Sequence, residues 1–160
     1  MSKLSKQKSR LPKLDSDNDC ERISAILAPD QPFDEDPPEA SPETLQRYQD
    51  FLNTKLPLGT KMMGSETVGY FAWEERFEFG SGSSHEHRRL SEKYASCFDI
   101  LELMDLSNWD EDLGLMATVK RISDQKIFTI PLADLEVCPT NEHQLVDDYS
   151  TWFVNYGPDG

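Results

Sequence analysis

Apolar positions follow two periods along this chain and predict an α+β fold. After Ser41-Pro42-Glu43, whose residue types suit a helix start, Leu45, Tyr48, Phe51 and Leu52 recur at steps of three and four. This spacing predicts a helix that ends near Asn53. A second helix is predicted over residues 144–156, where apolar residues share one helical face: Leu145, Tyr149, Trp152, Phe153 and Tyr156.

Between these helices the apolar residues lie in short runs, several of which alternate as half-buried strands do. Strands are predicted at residues 58–64, 67–73, 74–79, 97–106, 113–121, 126–130 and 136–138. Ser83-Ser-His-Glu86 matches a capping box and predicts a short helix that reaches Tyr94. Short strands joined by tight turns favour a small SH3-like antiparallel barrel or curled sheet, flanked by an N-terminal and a C-terminal helix.

Residues 1–40 have the composition of a flexible, disordered tail, so the predicted domain covers residues 41–156. Lys, Ser, Asp, Glu and Pro dominate the tail, and Pro37-Pro38 disfavours both helix and strand. Its one apolar cluster, at residues 23–27, predicts a short helix between Asp19 and Pro29 that docks on the domain.

The charge of the chain is strongly and unevenly negative. Among 160 residues, 30 are acidic and 16 are basic, which gives a net charge of −14. Residues 1–13 carry five positive charges and no acid, so residues 14–160 have a net charge of −19. Such a surface repels phosphate backbones and attracts cations, which argues against nucleic acid as the main partner.

Cysteine usage and hydropathy indicate a cytoplasmic protein. Cys20, Cys97 and Cys138 are far apart, and no pair has the C-x-x-C spacing of a zinc site, so reduced thiols are expected. No stretch approaches the ~18 apolar residues that a membrane span needs. The basic N-terminus has no apolar segment behind it, so we expect neither a secretory signal nor a membrane partner.

The acidic residues that best fit a metal site are Asp110, Glu111 and Asp112. They are expected in a loop between two strands, with Asp105 nearby as an assisting ligand. Calcium prefers six to eight hard oxygens in adaptable geometry, and a divalent ion would relieve the repulsion between adjacent carboxylates. The alternative is a charged turn that is fully hydrated at the surface.

The other possible metal-binding motifs each lack a feature that such a site requires. Asp15-Ser-Asp17-Asn-Asp19 begins like an EF-hand loop, but Cys20 and Ile26 occupy the positions that need glycine and glutamate. His85 and His87 diverge on a helix, so a zinc site is not expected. The acids at residues 74–75, 134, 136 and 147–148 are each expected to face solvent.

No catalytic motif is present: the chain has no G-x-S-x-G, H-E-x-x-H or P-loop sequence. Gly80-Ser-Gly82 has His85 in place of the third glycine of a dinucleotide loop, and a flexible linker is expected there. The protein is therefore expected to be non-enzymatic.

Segments across residues 45–156 together resemble the small calcium-binding protein family first recognised in cyanobacteria, acidic proteins that lack EF-hands. The likeness lies in Tyr48-Gln-Asp-Phe-Leu52, Leu56-Pro57-Leu58, Phe98-Asp-Ile-Leu-Glu-Leu103, Phe128-Thr-Ile-Pro-Leu-Ala-Asp-Leu135, and Gln144-Leu-Val-Asp-Asp-Tyr149 with Trp152-Phe153. The resemblance implies an SH3-like barrel and calcium bound by carboxylates from loops and neighbouring strands. Two departures are an insertion at residues 74–96 and an extension at residues 1–40.

The sequence thus predicts low-affinity calcium binding, for buffering or signalling, through Asp105, Asp110, Glu111 and Asp112. The alternative is a protein–protein interaction module with no metal. In that case the basic arm of residues 3–13 engages an acidic partner or the protein's own surface.

Overall fold

The structure is a computed structural model that describes residues 17–28, 37–66, 69–78, 82–138 and 143–158. Its strands are β1 (Lys61–Gly64), β2 (Leu101–Asp110), β3 (Gly114–Arg121), β4 (Ile127–Pro131) and β5 (Leu135–Val137). Its α-helices are α1 (Asp17–Leu27), α2 (Pro42–Lys55), α3 (Glu75–Glu78), α4 (Ser84–Lys93) and α5 (His143–Tyr156). Two 3₁₀ helices span Gly69–Glu74 and Leu132–Asp134.

The strands form one antiparallel sheet in the order β4-β3-β2-β1-β5. Because β4 and β5 lie at opposite edges, the described strands make a curled open sheet and not a closed barrel. Register shifts in β2 on either side of Asp105 interrupt its pairing with β3, and such bulges bend a strand. The predicted α+β fold is confirmed in its curled-sheet form.

The core lies between one face of the sheet and the helices α1, α2 and α5. Alternate residues of β3, such as Leu115, Ala117 and Val119, are fully buried against it. Tyr48 of α2 and Tyr149 of α5 meet edge to face, with ring centroids 5.2 Å apart. The apolar stripes that predicted these two helices are therefore their contact faces.

Helix α1 docks on the domain, as predicted for the apolar cluster before Pro29. Ile23 and Leu27 are fully buried, and Arg22 Nε donates to Asp148 Oδ2 at 2.8 Å. Arg47 Nη1 of α2 donates to the Leu27 carbonyl oxygen at 2.6 Å, at the end of α1. Residues 1–16 and 29–36 of the predicted tail lie outside the described residues.

The two strands predicted at residues 67–73 and 74–79 were wrong. Residues 69–74 form a 3₁₀ helix and residues 75–78 form α3. Phe71 and Glu74 are the buried residues of the first helix, three positions apart, which places them on the same side of a 3₁₀ turn. Aromatic residues at 70, 71, 73 and 77 fit this spacing and strand alternation equally well.

The remaining elements agree with the sequence pattern to within a few residues. Helix α4 begins after Ser83, whose Oγ accepts from the Glu86 amide nitrogen at 3.1 Å. Strand β2 begins and ends four residues later than predicted, at Leu101 and Asp110. This shift moves Asp105 from the predicted end of the strand to its middle.

Candidate functional site

The turn between β2 and β3 contains three of the four predicted metal ligands. Asp110 ends β2 and pairs with Gly114 at the start of β3. Its Oδ1 accepts hydrogen bonds from the amide nitrogens of Asp112 at 2.8 Å and Leu113 at 3.0 Å, which makes an Asx turn. In the described chain Oδ2 of Asp110 makes no hydrogen bond, so this oxygen remains for a ligand.

Glu111 and Asp112 are exposed and lie beside the first turn of α2. Both residues line a cavity of about 290 Å³, together with Ala40, Ser41, Pro42, Leu45 and Pro158. Ser41 is the N-cap of α2, and its Oγ accepts from the Thr44 amide nitrogen at 3.2 Å. The partial positive charge of a helix N-terminus therefore lies near these carboxylates.

The base of the hairpin is held against α5. Gly114 has a φ of +79°, and a Cβ atom there would lie 2.3 Å from the Tyr149 hydroxyl oxygen. That oxygen accepts from the Leu115 amide nitrogen at 2.8 Å, and burial raises the pKa of Tyr149. Trp109, half-buried beside Asp110, donates from Nε1 to Gln46 Oε1 at 3.2 Å. The acidic turn is thus fixed to both α2 and α5.

Asp105 lies apart from the other three predicted ligands. It is five residues before Asp110 on β2, so their Cα atoms are ~13–17 Å apart. A hydrogen bond from Ser107 Oγ reaches its Oδ2. Asp105 cannot share an ion with Asp110 in this arrangement.

Across the described residues, no group of three or more His, Cys, Asp or Glu side chains is placed to hold a metal ion. His85 is exposed, whereas His87 turns inward, as expected for two histidines that diverge on a helix. Of the segment that begins like an EF-hand loop, residues 15 and 16 lie outside the described residues, and residues 17–19 open α1.

Three acids that were expected to face solvent are buried instead. Asp134 Oδ2 accepts from the Tyr70 amide nitrogen at 3.0 Å, and Asp148 accepts from both Arg22 and Gln144. Glu74 is 3% exposed. These carboxylates tie segments together across the fold, and no local sequence pattern marks that role.

Glu74 joins three parts of the chain. Its Oε2 accepts from Ser96 Oγ at 2.6 Å, and its Oε1 accepts from the Cys97 amide nitrogen at 2.8 Å. His87 Nε2 of α4 lies 2.8 Å from the same Oε2. The His87 ring packs near Trp73 and Phe77, with centroids 5.5 and 5.0 Å away. One buried carboxylate therefore links α4 to the segment that precedes β2.

None of the described helices combines the length and apolar character that a membrane crossing requires.

The elements together define an α+β protein whose curled antiparallel sheet carries an acidic hairpin. A solved structure described as a calcium binding protein in the calcium-binding form is similar, with a TM-score of 0.53 and 12% sequence identity over 97% of each chain. At this identity the likeness shows a shared fold. No family model and no curated protein matches the chain, so membership of the family that its sequence resembles stays a prediction.

Proposed function

We propose that this protein binds calcium weakly and without catalysis at the β2–β3 hairpin, through Asp110, Glu111 and Asp112. The observation that carries the proposal is the local geometry of the turn. One oxygen of Asp110 closes the turn, and the next two carboxylates line a common cavity. The similar solved structure, described as a calcium-binding protein, supports the same function.

The three carboxylates supply only some of the oxygen ligands that calcium needs, which indicates weak binding. With Asp110 Oδ1 engaged in the turn, the three side chains offer at most five carboxylate oxygens. Calcium takes six to eight oxygens, so water or carbonyl oxygens must complete its coordination. The positive N-terminus of α2 competes for the same carboxylates. A Kd between about micromolar and millimolar follows.

Calorimetric titration with calcium chloride tests the proposal on the wild type and on the variant Asp110→Asn/Glu111→Gln/Asp112→Asn. The asparagine introduced at position 110 keeps a side-chain carbonyl oxygen that can accept both hydrogen bonds of the Asx turn, so the hairpin is expected to keep its shape. We expect the variant to bind calcium at least about tenfold more weakly, because it lacks the charged ligands.

The matched control is Glu21→Gln/Glu92→Gln/Glu136→Gln, which removes three exposed negative charges outside the hairpin and outside the first turn of α2. The control should retain the wild-type Kd, and so should Asp105→Asn, because of its distance along β2. Equal weakening in the control and the hairpin variant would mean that calcium is only a diffuse counterion. Absence of measurable heat in the wild type would reject calcium binding itself.

A further inference from the structure

Helix α4 presents an unpaired basic face in an acidic protein. Four of the six arginines in the described residues make ion pairs with acidic side chains: Arg22, Arg47, Arg76 and Arg121. Within the same residues, Arg88 and Arg89 make no ion pair. Both side chains are exposed on α4. Because acids outnumber bases in the chain, two neighbouring arginines that lack an acidic partner among the described residues are an exception.

The exposure pattern of α4 divides the helix into two faces. His85, Arg88, Arg89, Glu92 and Lys93 are all exposed, and at 3.6 residues per turn they fall on one side. His87, Leu90 and Ser91 lie on the other side and are partly buried. With one acid among three permanent cations, the outer face carries a net charge of about +2.

The helix is held firmly even though none of its residues is fully buried. His87 contacts the buried Glu74, and Arg76 Nη2 donates to Glu86 Oε2 at 2.6 Å. Near the other end, Lys126 Nζ donates to the Glu92 carbonyl oxygen. Because these contacts fix the backbone of α4, binding a partner costs conformational entropy mainly in the exposed side chains.

We propose that the outer face of α4 binds an acidic segment of a partner protein, with Arg88 and Arg89 as the principal contacts. Each guanidinium can bind a carboxylate through two parallel hydrogen bonds. Helix α4 is ~15 Å long, which matches about five residues of extended peptide. A long polyanion such as nucleic acid would extend beyond this face onto the negatively charged remainder of the protein, which repels it. A short acidic segment is therefore the favoured partner.

This surface is independent of the proposed calcium site. Helix α4 contacts the β3–β4 turn, where Lys126 Nζ donates to the Glu92 carbonyl oxygen. The acidic hairpin is at the opposite end of β3, ~24 Å away. Failure of either proposal therefore leaves the other untouched.

Fluorescence anisotropy of a labelled Asp/Glu-rich peptide of about six residues tests the proposal with the full chain at low ionic strength. We expect measurable binding by the wild type, which weakens as salt is added. Arg88→Gln/Arg89→Gln should weaken it about tenfold, since it removes two exposed charge pairs with the peptide. The matched control Lys55→Gln/Lys61→Gln makes the same change in net charge on other exposed residues and should bind as the wild type does.

Three outcomes would overturn the proposal. The first is that the wild type does not bind the acidic peptide. The second is that both variants lose affinity equally, which would show that the peptide is attracted only by overall charge. The third is that a single-stranded oligonucleotide, or a second copy of this chain detected by size-exclusion chromatography, binds in an Arg88- and Arg89-dependent manner while the peptide does not. Circular dichroism of each variant separates loss of this surface from loss of the fold.

Discussion

Two buried tyrosines show how much depends on a single hydrogen bond. Tyr48 and Tyr149 are both fully buried, and burial raises the pKa of each. The Tyr149 hydroxyl oxygen accepts from the Leu115 amide nitrogen. The Tyr48 hydroxyl has no hydrogen-bond partner in the described chain. The same chemical group therefore stabilises the fold at one position and costs free energy at the other.

We predict opposite results when each hydroxyl is removed. Tyr149→Phe leaves the Leu115 amide unpaired at the base of the hairpin and should lower the free energy of unfolding by about 1–3 kcal/mol. Tyr48→Phe removes a group that is buried without compensation and should leave that free energy unchanged or raise it. Urea denaturation of the two variants and the wild type measures both effects. An equal decrease in the free energy of unfolding of the two variants would contradict the different roles given to the two hydroxyl groups.

At the level of elements, we predict that Glu74 is the main attachment of α4 to the rest of the fold. Glu74→Ala removes the acceptor for Ser96, Cys97 and His87 together. We predict a decrease of about 3 kcal/mol in the free energy of unfolding, because buried donors lose a charged partner. Hydrogen exchange should also show loss of protection in α4 greater than in β3, since the helix has no fully buried residue of its own.

The control for this prediction is Glu136→Ala, which removes an exposed carboxylate and should change stability by less than about 0.5 kcal/mol. Glu74→Gln adds a finer test, because the amide keeps one acceptor oxygen and should be less damaging than alanine. If α4 stays protected in Glu74→Ala, its attachment rests on the aromatic contacts of His87 instead.

The elements that could be predicted from the sequence are those whose signal is local. Helices α2 and α5 follow from stripes of three- and four-residue spacing, and α4 follows from the Ser83 cap. The 3₁₀ helix at Gly69–Glu74 could not be predicted, because the burial of Glu74 depends on Ser96 and Cys97, more than twenty residues away. A local sequence pattern predicts that a charged residue is exposed when its partners are distant in sequence.

For the candidate site, the position of the acidic turn could be predicted from local sequence, but the position of Asp105 could not. Three consecutive acids between two strands indicate a hairpin turn, and Asp110, Glu111 and Asp112 lie at that turn. The distance of Asp105 from the turn depends on where β2 ends, and the apolar Phe98 and Ile100 suggested a strand that begins and ends earlier than the structure shows. Both side chains are exposed. Hydropathy alone does not separate a strand from the loop before it.

For the whole molecule, the net charge of −14 predicts that stability increases with salt. Repulsion among like charges destabilises the compact state, and ions screen it within about 10 Å at 0.1 M. We predict that sodium chloride raises the free energy of unfolding by on the order of 1 kcal/mol, or ~2–4 °C in Tm. The variant Glu21→Gln/Glu92→Gln/Glu136→Gln, with three fewer negative charges, should gain less. A Tm that falls with added salt would show that specific ion pairs outweigh the general repulsion.

The placement of the tryptophans gives each end of the sheet its own fluorophore. Trp109 precedes the acidic turn, Trp73 packs near His87 of α4, and Trp152 is fully buried in the core. An indole reports changes of electric field in its immediate surroundings. When Trp152 and Trp73 are replaced by phenylalanine, the emission of Trp109 reports on the hairpin. When Trp152 and Trp109 are replaced instead, the emission of Trp73 reports on α4. Ion binding and peptide docking can then be observed separately without attaching a dye to the protein.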